Sequence, residues 1–413
     1  MIRDTLTKKN MNNKGSNKFL NFFNYFAILS ALVLTSSYPI VVTRLISGSV
    51  SVTLLLIISL ISFLLNSRYK NEINFNGLLL LLFLVTTSLI TLILTTDSIY
   101  YYAIILLSLS TGYLIYLTYE LKKFIEIYTK IILLIAIFSI IVFIISIIMP
   151  ELIRLFPVLG ERSGYTVYNL FISVAVPDTP EIKNYGIFWE PGAYQTYLSL
   201  ALIFEIFFKK KKSIIFVLIY VITLLTTFST AAYISLMLIT IAYILGNVRG
   251  RILARKILVP IFSIGLAAYL IVLFTPQDYI MNVLSKLTFI FNYKDNTEFS
   301  STVRINAIVY PFLAFIKSPI IGVGYDSFLG VAEQFIFKMP TFTFGNWFAV
   351  FGILWGIPCT LLYIHFSSYM IKTNSLSRIV VALVLVFIVS SQDFVQIAFI
   401  YSFIFYSTSR IKV

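Results

Sequence analysis

Long apolar runs separated by short polar breaks set the pattern of this chain from about position 20 to its end. An apolar run of about 20 residues is long enough to cross a bilayer as a helix. About twelve such helices are predicted, at 20–40, 49–65, 76–95, 99–119, 130–149, 190–208, 213–228, 230–246, 257–274, 346–371, 379–392 and 394–408. Two pairs carry an alternative. The runs at 213–228 and 230–246 also read as one broken hairpin around Ser229-Thr230. The last two meet at Ser390-Ser391-Gln392-Asp393 and also read as one long helix, which would put the C-terminus outside.

Two breaks in the pattern are much longer than the others, at 150–189 and 275–345. Loops beyond roughly 12–15 residues are usually functional or disordered. Both are rich in aromatic and branched apolar residues, which argues against disorder. They are expected to fold onto the outer membrane face. Within the second, 302–316 predicts a short helix lying in the interface, started near Ser300-Ser301 and stopped by Ser318-Pro319. No internal repeat is evident. The expectation is a single all-α polytopic transmembrane domain over 1–413, with two large outer loops.

Composition strengthens this reading. The 413 residues are 59% hydrophobic and 12% charged, with mean hydropathy +0.94. Soluble domains run at roughly 45–50% apolar and about 25% charged. The net charge of +14 does not point to nucleic acid, because the basic residues punctuate the apolar runs. With the N-terminus inside, more than two thirds of the 31 lysines and arginines fall on the cytoplasmic side, mostly in short loops. That is the positive-inside pattern, and it puts both termini in the cytoplasm. The lone Cys359 excludes an intramolecular disulfide. With one histidine, His365, and no Cys/His cluster, no metal site is expected.

Candidate chemistry gathers at the outer loops. The stretch Tyr185–Tyr197 marks the point where the first loop turns back into an apolar helix. Trp189 suits a membrane–water interface, and Pro191 suits a first helical turn. Glu190 then sits beside the helix's unpaired N–H groups, which favour a negative charge. A plain capped helix start explains the same residues. Outside the cell there is no ATP, so a reaction there needs a pre-activated substrate. A lipid diphosphate fits, and its departing charge calls for fixed cations. Arginine serves best, because its planar fork grips two phosphate oxygens and stays charged. Arg154 and Arg162 in the first loop and Arg304 in the second are candidates, against the simpler reading of each as an exposed interface anchor. A glycosyl transfer also needs a proton acceptor. Outer carboxylates include Asp178, Glu181, Glu190, Asp295, Glu298, Asp326 and Asp393. Asp393 lies at a break between two apolar runs, where ionisable groups are rare and often functional; helix capping is its alternative. Gly322-Val323-Gly324 permits close backbone approach, an anion-binding nest or a plain turn. Tyr194, just inside the helix that follows Glu190, joins the substrate-binding candidates.

Three stretches resemble the Wzy-type O-antigen and capsular polysaccharide polymerases, within the wider O-antigen polymerase/ligase superfamily. They are Gly186-Ile-Phe-Trp-Glu-Pro-Gly-Ala-Tyr194, then Ser229-Thr230-Ala-Ala-Tyr233, and then Ser301-Thr-Val-Arg304 with Lys317-Ser-Pro319-Ile-Ile-Gly322-Val-Gly324 and Asn346. The likeness covers roughly residues 180–360. It implies transfer of a glycan from undecaprenyl diphosphate to a second lipid-linked repeat unit, without metal or nucleotide. It also implies a chain-length regulator and a flippase as partners. Arg304 matches the family's loop arginine. The chain departs from the pattern at Thr230, where a basic residue commonly stands, and the arginine-to-glycine spacing of some polymerases is not cleanly present. The ligase branch is associated with a histidine in the large outer loop, and none occurs between Thr275 and Gly345. A flippase, the other alternative, should show related halves and polar residues within its spans.

Overall fold

The computed structural model describes residues 2–34, 47–66, 74–162, 164–246, 299–335, 341–370 and 375–409. The predicted helix at 257–274, together with Asp295 and Glu298, lies outside the described residues. The helices are α1 (Ile2–Val33), α2 (Gly48–Leu65), α3 (Phe75–Thr95), α4 (Ile99–Thr118), α5 (Leu121–Ile148), the short α6 (Pro150–Arg154), α7 (Pro191–Ile203), α8 (Ile214–Thr226) and α9 (Thr230–Gly246). They continue with α10 (Phe299–Lys317), α11 (Tyr325–Phe335), α12 (Thr343–Met370), α13 (Ser375–Ser390) and α14 (Ala398–Tyr406). Each predicted apolar run among the described residues thus forms a helix, and both ambiguous pairs are separate helices. Phe228, at φ 48, breaks the chain between α8 and α9.

Local chemistry starts the helices where the pattern placed them. Ser47, Asn74, Ser98 and Ser213 each accept a hydrogen bond from a first-turn N–H of α2, α3, α4 and α8. Such caps satisfy donors that the helix itself leaves open. Among the described residues, α2 to α5 and Thr343–Ser367 of α12 are long and apolar enough to cross a membrane. The protein is a multi-pass helical membrane protein.

The packing is inverted relative to a soluble bundle. In α2 the buried residues include Ser51, Ser59 and Ser62, while Leu54, Ile57, Leu60, Ile61 and Leu64 are exposed. In α3 the buried residues include Gly77, Thr87, Ser88 and Thr91. The outward face of α5 carries Leu134, Phe138, Ile141, Ile144 and Ile148 at helical spacing. In α2 and α3 large apolar side chains face outward and small polar ones face in, which suits helices packed in lipid.

Two helices occupy the centre. All nine residues of α14 are buried, and so is all of α7 except Gly192. A helix that is apolar all round has no solvent face and belongs in a core. Phe399 and Phe403 of α14 pack against Tyr128, Phe204 and Phe366. Gly112 of α4 allows α14 to come close, since a Cβ there would stand 2.7 Å from the Ala398 carbonyl oxygen.

The first long loop adds a small sheet to the otherwise helical chain. It holds a three-stranded antiparallel sheet of β1 (Val158–Arg162), β2 (Tyr165–Asn169) and β3 (Val174–Ala175) in the order β1-β2-β3. Arg162 pairs with Tyr165 across a hairpin turn that includes Gly164 at φ 81. In the second loop α10 covers the predicted 302–316 helix and ends at Ser318-Pro319, as expected.

Polar links sort into two ends. At one end, carrying the long loops, the Ser98 N–H donates to Asp326, Asn184 bonds Thr226, and Gln195 bonds Ser391. At the other, Asn74 bonds the Thr408 carbonyl, Tyr406 bonds the Tyr119 carbonyl, and Ser377 bonds the Ala242 carbonyl.

Candidate active site at the loop end

The link into α7 is fixed from beneath. The Asn184 amide donates to Ser139 Oγ at 3.1 Å and Thr226 Oγ1 at 3.0 Å, and its Oδ1 accepts the Gly186 N–H at 3.1 Å. Gly186 adopts φ 55, and a Cβ there would lie 2.7 Å from the Tyr194 ring. Its carbonyl accepts the Val174 N–H at 2.6 Å, which ties the link to β3. Tyr194 is fully buried, and its hydroxyl lies 2.9 Å from Ser139 Oγ. Burial places that side chain under the link, where it supports the helix start rather than meeting a solvent-borne group.

Glu190 occupies the cap position of α7 with extended backbone, and Pro191 follows at the first helical residue. Its carbonyl accepts the Ala193 and Tyr194 N–H groups. Glu190 thus sits at the helix start, as expected, but its carboxylate makes no cap hydrogen bond. It turns instead to Arg162, with Nη2 at 3.5 Å from Oε1. Arg162 also donates from Nη1 to the Trp189 carbonyl at 2.5 Å and lies 5.4 Å from the Tyr185 ring centroid. Thus β1 delivers a cation onto the turn that carries Glu190. The Glu190 side chain remains 43% exposed and that of Arg162 26%. Burial raises the Tyr185 hydroxyl pKa, with Arg162 acting the other way. Arg154, on the outer side of the sheet, is held by Glu151 at 2.5 Å and Asp178 at 2.6 Å. Both first-loop arginines therefore already have protein partners.

The link into α14 lies beside this turn. Gly192 faces the Gln392 side chain, and a Cβ there would stand 2.5 Å from Nε2. Gln195 Nε2 donates to Ser391 Oγ at 2.7 Å. Thr343, opening α12, has its hydroxyl 2.6 Å from the Gln392 carbonyl and accepts the Phe394 N–H at 2.9 Å. These contacts hold Asp393 between α7, α12 and α14. Asp393 Oδ1 accepts from Asn346 Nδ2 at 3.1 Å and from the Val395 N–H at 3.3 Å. Burial pushes its carboxyl up to about 6 from 3.8, against the pull of those two hydrogen bonds. The residue is nonetheless partly exposed. Gln396 in the same link donates to the Tyr325 hydroxyl at 3.1 Å.

The second loop is spliced onto α12. Gly322, Gly324 and Gly352 have φ of 77, 82 and 67. The α12 helix breaks at Gly352, and the loop backbone docks into the break. The Val323 N–H donates to the Ala349 carbonyl, Gly324 N–H to Val350, and Ile353 N–H to Pro319. A Cβ on Gly322 would sit 2.1 Å from the Val350 oxygen, and one on Gly352 2.2 Å from the Ile320 oxygen. Gly322 and Gly324 thus serve close backbone approach. The N–H groups of 322–324 are engaged by carbonyls, so the anion-nest reading does not hold for them.

Next to the splice, two turns cap each other. The Tyr325 N–H donates to Asp97 Oδ2 and the Ser98 N–H to Asp326 Oδ2, both at 2.5 Å. The Tyr101 and Tyr325 rings stack at 4.3 Å. Asp97 was absent from the expected outer carboxylates because its turn is short. The Thr-Asp-Ser ahead of the α4 run was the available signal. Arg304 lies in α10, and its side chain is outside the described residues.

Residues 215–364 match the Wzy_C family, described as O-antigen ligase. The match is consistent with the O-antigen polymerase/ligase superfamily. The matched stretch runs from α8 through the Gly352 break and contains Arg304, Gly322 and Gly324. Arg154, Arg162, Glu190, Tyr194 and Asp393 fall outside it. The superfamily supports a glycosyltransferase-like enzyme of O-antigen processing. No curated protein and no solved structure matches the chain.

Proposed function

We propose that the protein polymerises undecaprenyl-diphosphate-linked oligosaccharide repeat units into O-antigen or capsular polysaccharide, on the outer face of a bacterial cytoplasmic membrane. About twelve spans with both termini cytoplasmic put the loop end on that face, where the positive-inside pattern wants it. The observation that carries the reading is the superfamily match over 215–364, with Arg304 inside it. In this reading the donor glycan leaves its lipid diphosphate for a hydroxyl of the next lipid-linked unit, with no metal or nucleotide. Arg304 takes the developing diphosphate charge, which a fixed guanidinium does well. Glu190, steadied by Arg162, borders the acceptor. Arg154, Tyr194, Gly322 and Gly324 act by holding the two loops. A chain-length regulator and a flippase would act with it.

The family description favours a second reading, transfer of a finished glycan to another carrier by a ligase. The lack of histidine between Thr275 and Gly345 favours the polymerase. A test is Arg304→Ala in cells. The expected outcome is loss of polymer, a fall of about 100-fold or more, in the range seen when a transition-state donor is removed. Polymer of normal length and amount would remove Arg304 from the mechanism.

A further inference from the structure

Resting on the reading of the protein as a transferase of lipid-linked glycans, we infer that Asp393 takes the proton from the attacking acceptor hydroxyl. Most acids at the loop end are already engaged. Glu151 and Asp178 share Arg154, Glu181 pairs with Lys183, and Glu190 pairs with Arg162. Asp97 and Asp326 each accept a backbone N–H. Glu161 is exposed on a strand. Asp97 likewise takes both its hydrogen bonds on one oxygen, but its donors, Tyr102 of α4 and the Tyr325 N–H of α11, engage it in joining two helix starts. Asp393 lies instead in the link into the fully buried α14. No cation pairs with Asp393 among the described residues, and both of its hydrogen bonds fall on Oδ1. One oxygen is clamped and the other is left for a guest.

Its surroundings suit a sugar hydroxyl. Asp393 is faced by Thr343 and Asn346 from α12, the Val395 N–H of its own link, Tyr325 from α11 and Tyr401 from α14. All are neutral near pH 7. Burial, then the nearby Asp393 charge, holds the Tyr325 hydroxyl well above its ordinary pKa, so it stays protonated. Gln392 and Gln396 place amides on either side in sequence, and both are half-buried. A buried carboxylate without a counter-cation is unfavourable, so its presence calls for a role. A carboxyl near 6 is ionised at neutral pH and is a stronger base than an ordinary one. Its partial exposure gives the proton a way out.

The step balances. The acceptor oxygen forms a bond to the donor's anomeric carbon as the bond from that carbon to the phosphate oxygen breaks. The lipid diphosphate leaves with the electron pair. The hydroxyl proton passes to Asp393 Oδ2 and then to water.

The test uses membranes carrying the full-length wild type, Asp393→Asn or Asp393→Glu, supplied with lipid-diphosphate-linked repeat units extracted from a strain lacking the gene. Asn keeps the shape and an acceptor for Asn346 and Val395. The expected result for Asp393→Asn is a fall in glycan transfer of at least about 100-fold, with membrane abundance and thermal midpoint at pH 7.5 unchanged or higher. Asp393→Glu regains part of the rate, and the wild-type rate falls below about pH 6, near the carboxyl's own value. Transfer within about 10-fold of wild type in Asp393→Asn overturns the inference. So does a joint loss of rate and thermal midpoint that Glu restores in full, since that marks a structural residue. Transfer to an acceptor other than a repeat unit, still lost in Asp393→Asn, supports Asp393 and overturns only the polymerase reading. Absence of any transfer by the wild type overturns both.

Discussion

The links that open α7 and α14 are built alike and hold their acids differently. Each leads into a helix buried on every side, and each carries one acid at the loop end. In the first, β1 brings Arg162 onto the turn, so Glu190 is half-exposed and paired. In the second, the donors are neutral, and Asp393 is half-buried, clamped on one oxygen and without an ion pair among the described residues. The same acidic chemistry is thus set to two tasks by environment. A paired acid organises its neighbourhood, whereas an unpaired one is free to exchange a proton. The matched stretch contains neither acid, although it supplies Thr343 and Asn346, which hold the second.

The largest effect is expected at Gly352→Ala. The second link leans on the first half of α12, which is aimed by the break at Gly352. Its φ of 67 and ψ of −164 are close to glycine-only backbone, and a Cβ would overlap the Ile320 carbonyl. Destabilisation of about 3 kcal/mol or more is expected, read as loss of folded protein from membranes. Normal abundance would show that the splice does not position the link.

Next is the pH dependence of stability. Asp393 has its folded pKa raised from 3.8 to about 6. The folded state therefore holds this proton more tightly than the unfolded chain does. Its stabilising effect is full below about 4 and is lost as pH rises through about 6. The loss amounts to at most about 3 kcal/mol. Thermal midpoints of the wild type in nanodiscs should fall across that window more than those of Asp393→Asn. Equal slopes would mean that Asp393 is not an unpaired acid. The smallest effect is expected at Glu190→Gln, which removes a half-exposed ion pair worth at most about 1 kcal/mol. Elongation should fall by about ten-fold, with folded protein retained. If it is abolished with the protein intact, the roles of the two acids are reversed. Loss of folded protein instead would return Glu190 to a purely architectural part.

Much of this was legible in the chain. Apolar runs and their Ser and Asn caps placed the helices, because a bilayer leaves few other ways to satisfy a backbone. The sheet was not read, although Tyr165–Tyr168 is rich in residues that favour strands. The length of the loop masked a short local signal. Gly322-Val323-Gly324 was noticeable, but its partner Gly352 lies within an apolar run, and only tertiary contact reveals why both are glycine. Residue types marked Glu190 and Asp393 equally. What separates them is Arg162, delivered from a strand that the pattern did not predict, and no spacing rule encodes that meeting.

The proposed role, joining lipid-linked repeat units, can be tested in cells. The most direct measurement is the set of lipid-linked glycans in a strain lacking the gene. A polymerase would leave single repeat units on undecaprenyl diphosphate, exposed on the outer face, with no longer chains. Long chains that never reach their final carrier would identify a ligase instead, and single units trapped on the inner leaflet would identify a flippase.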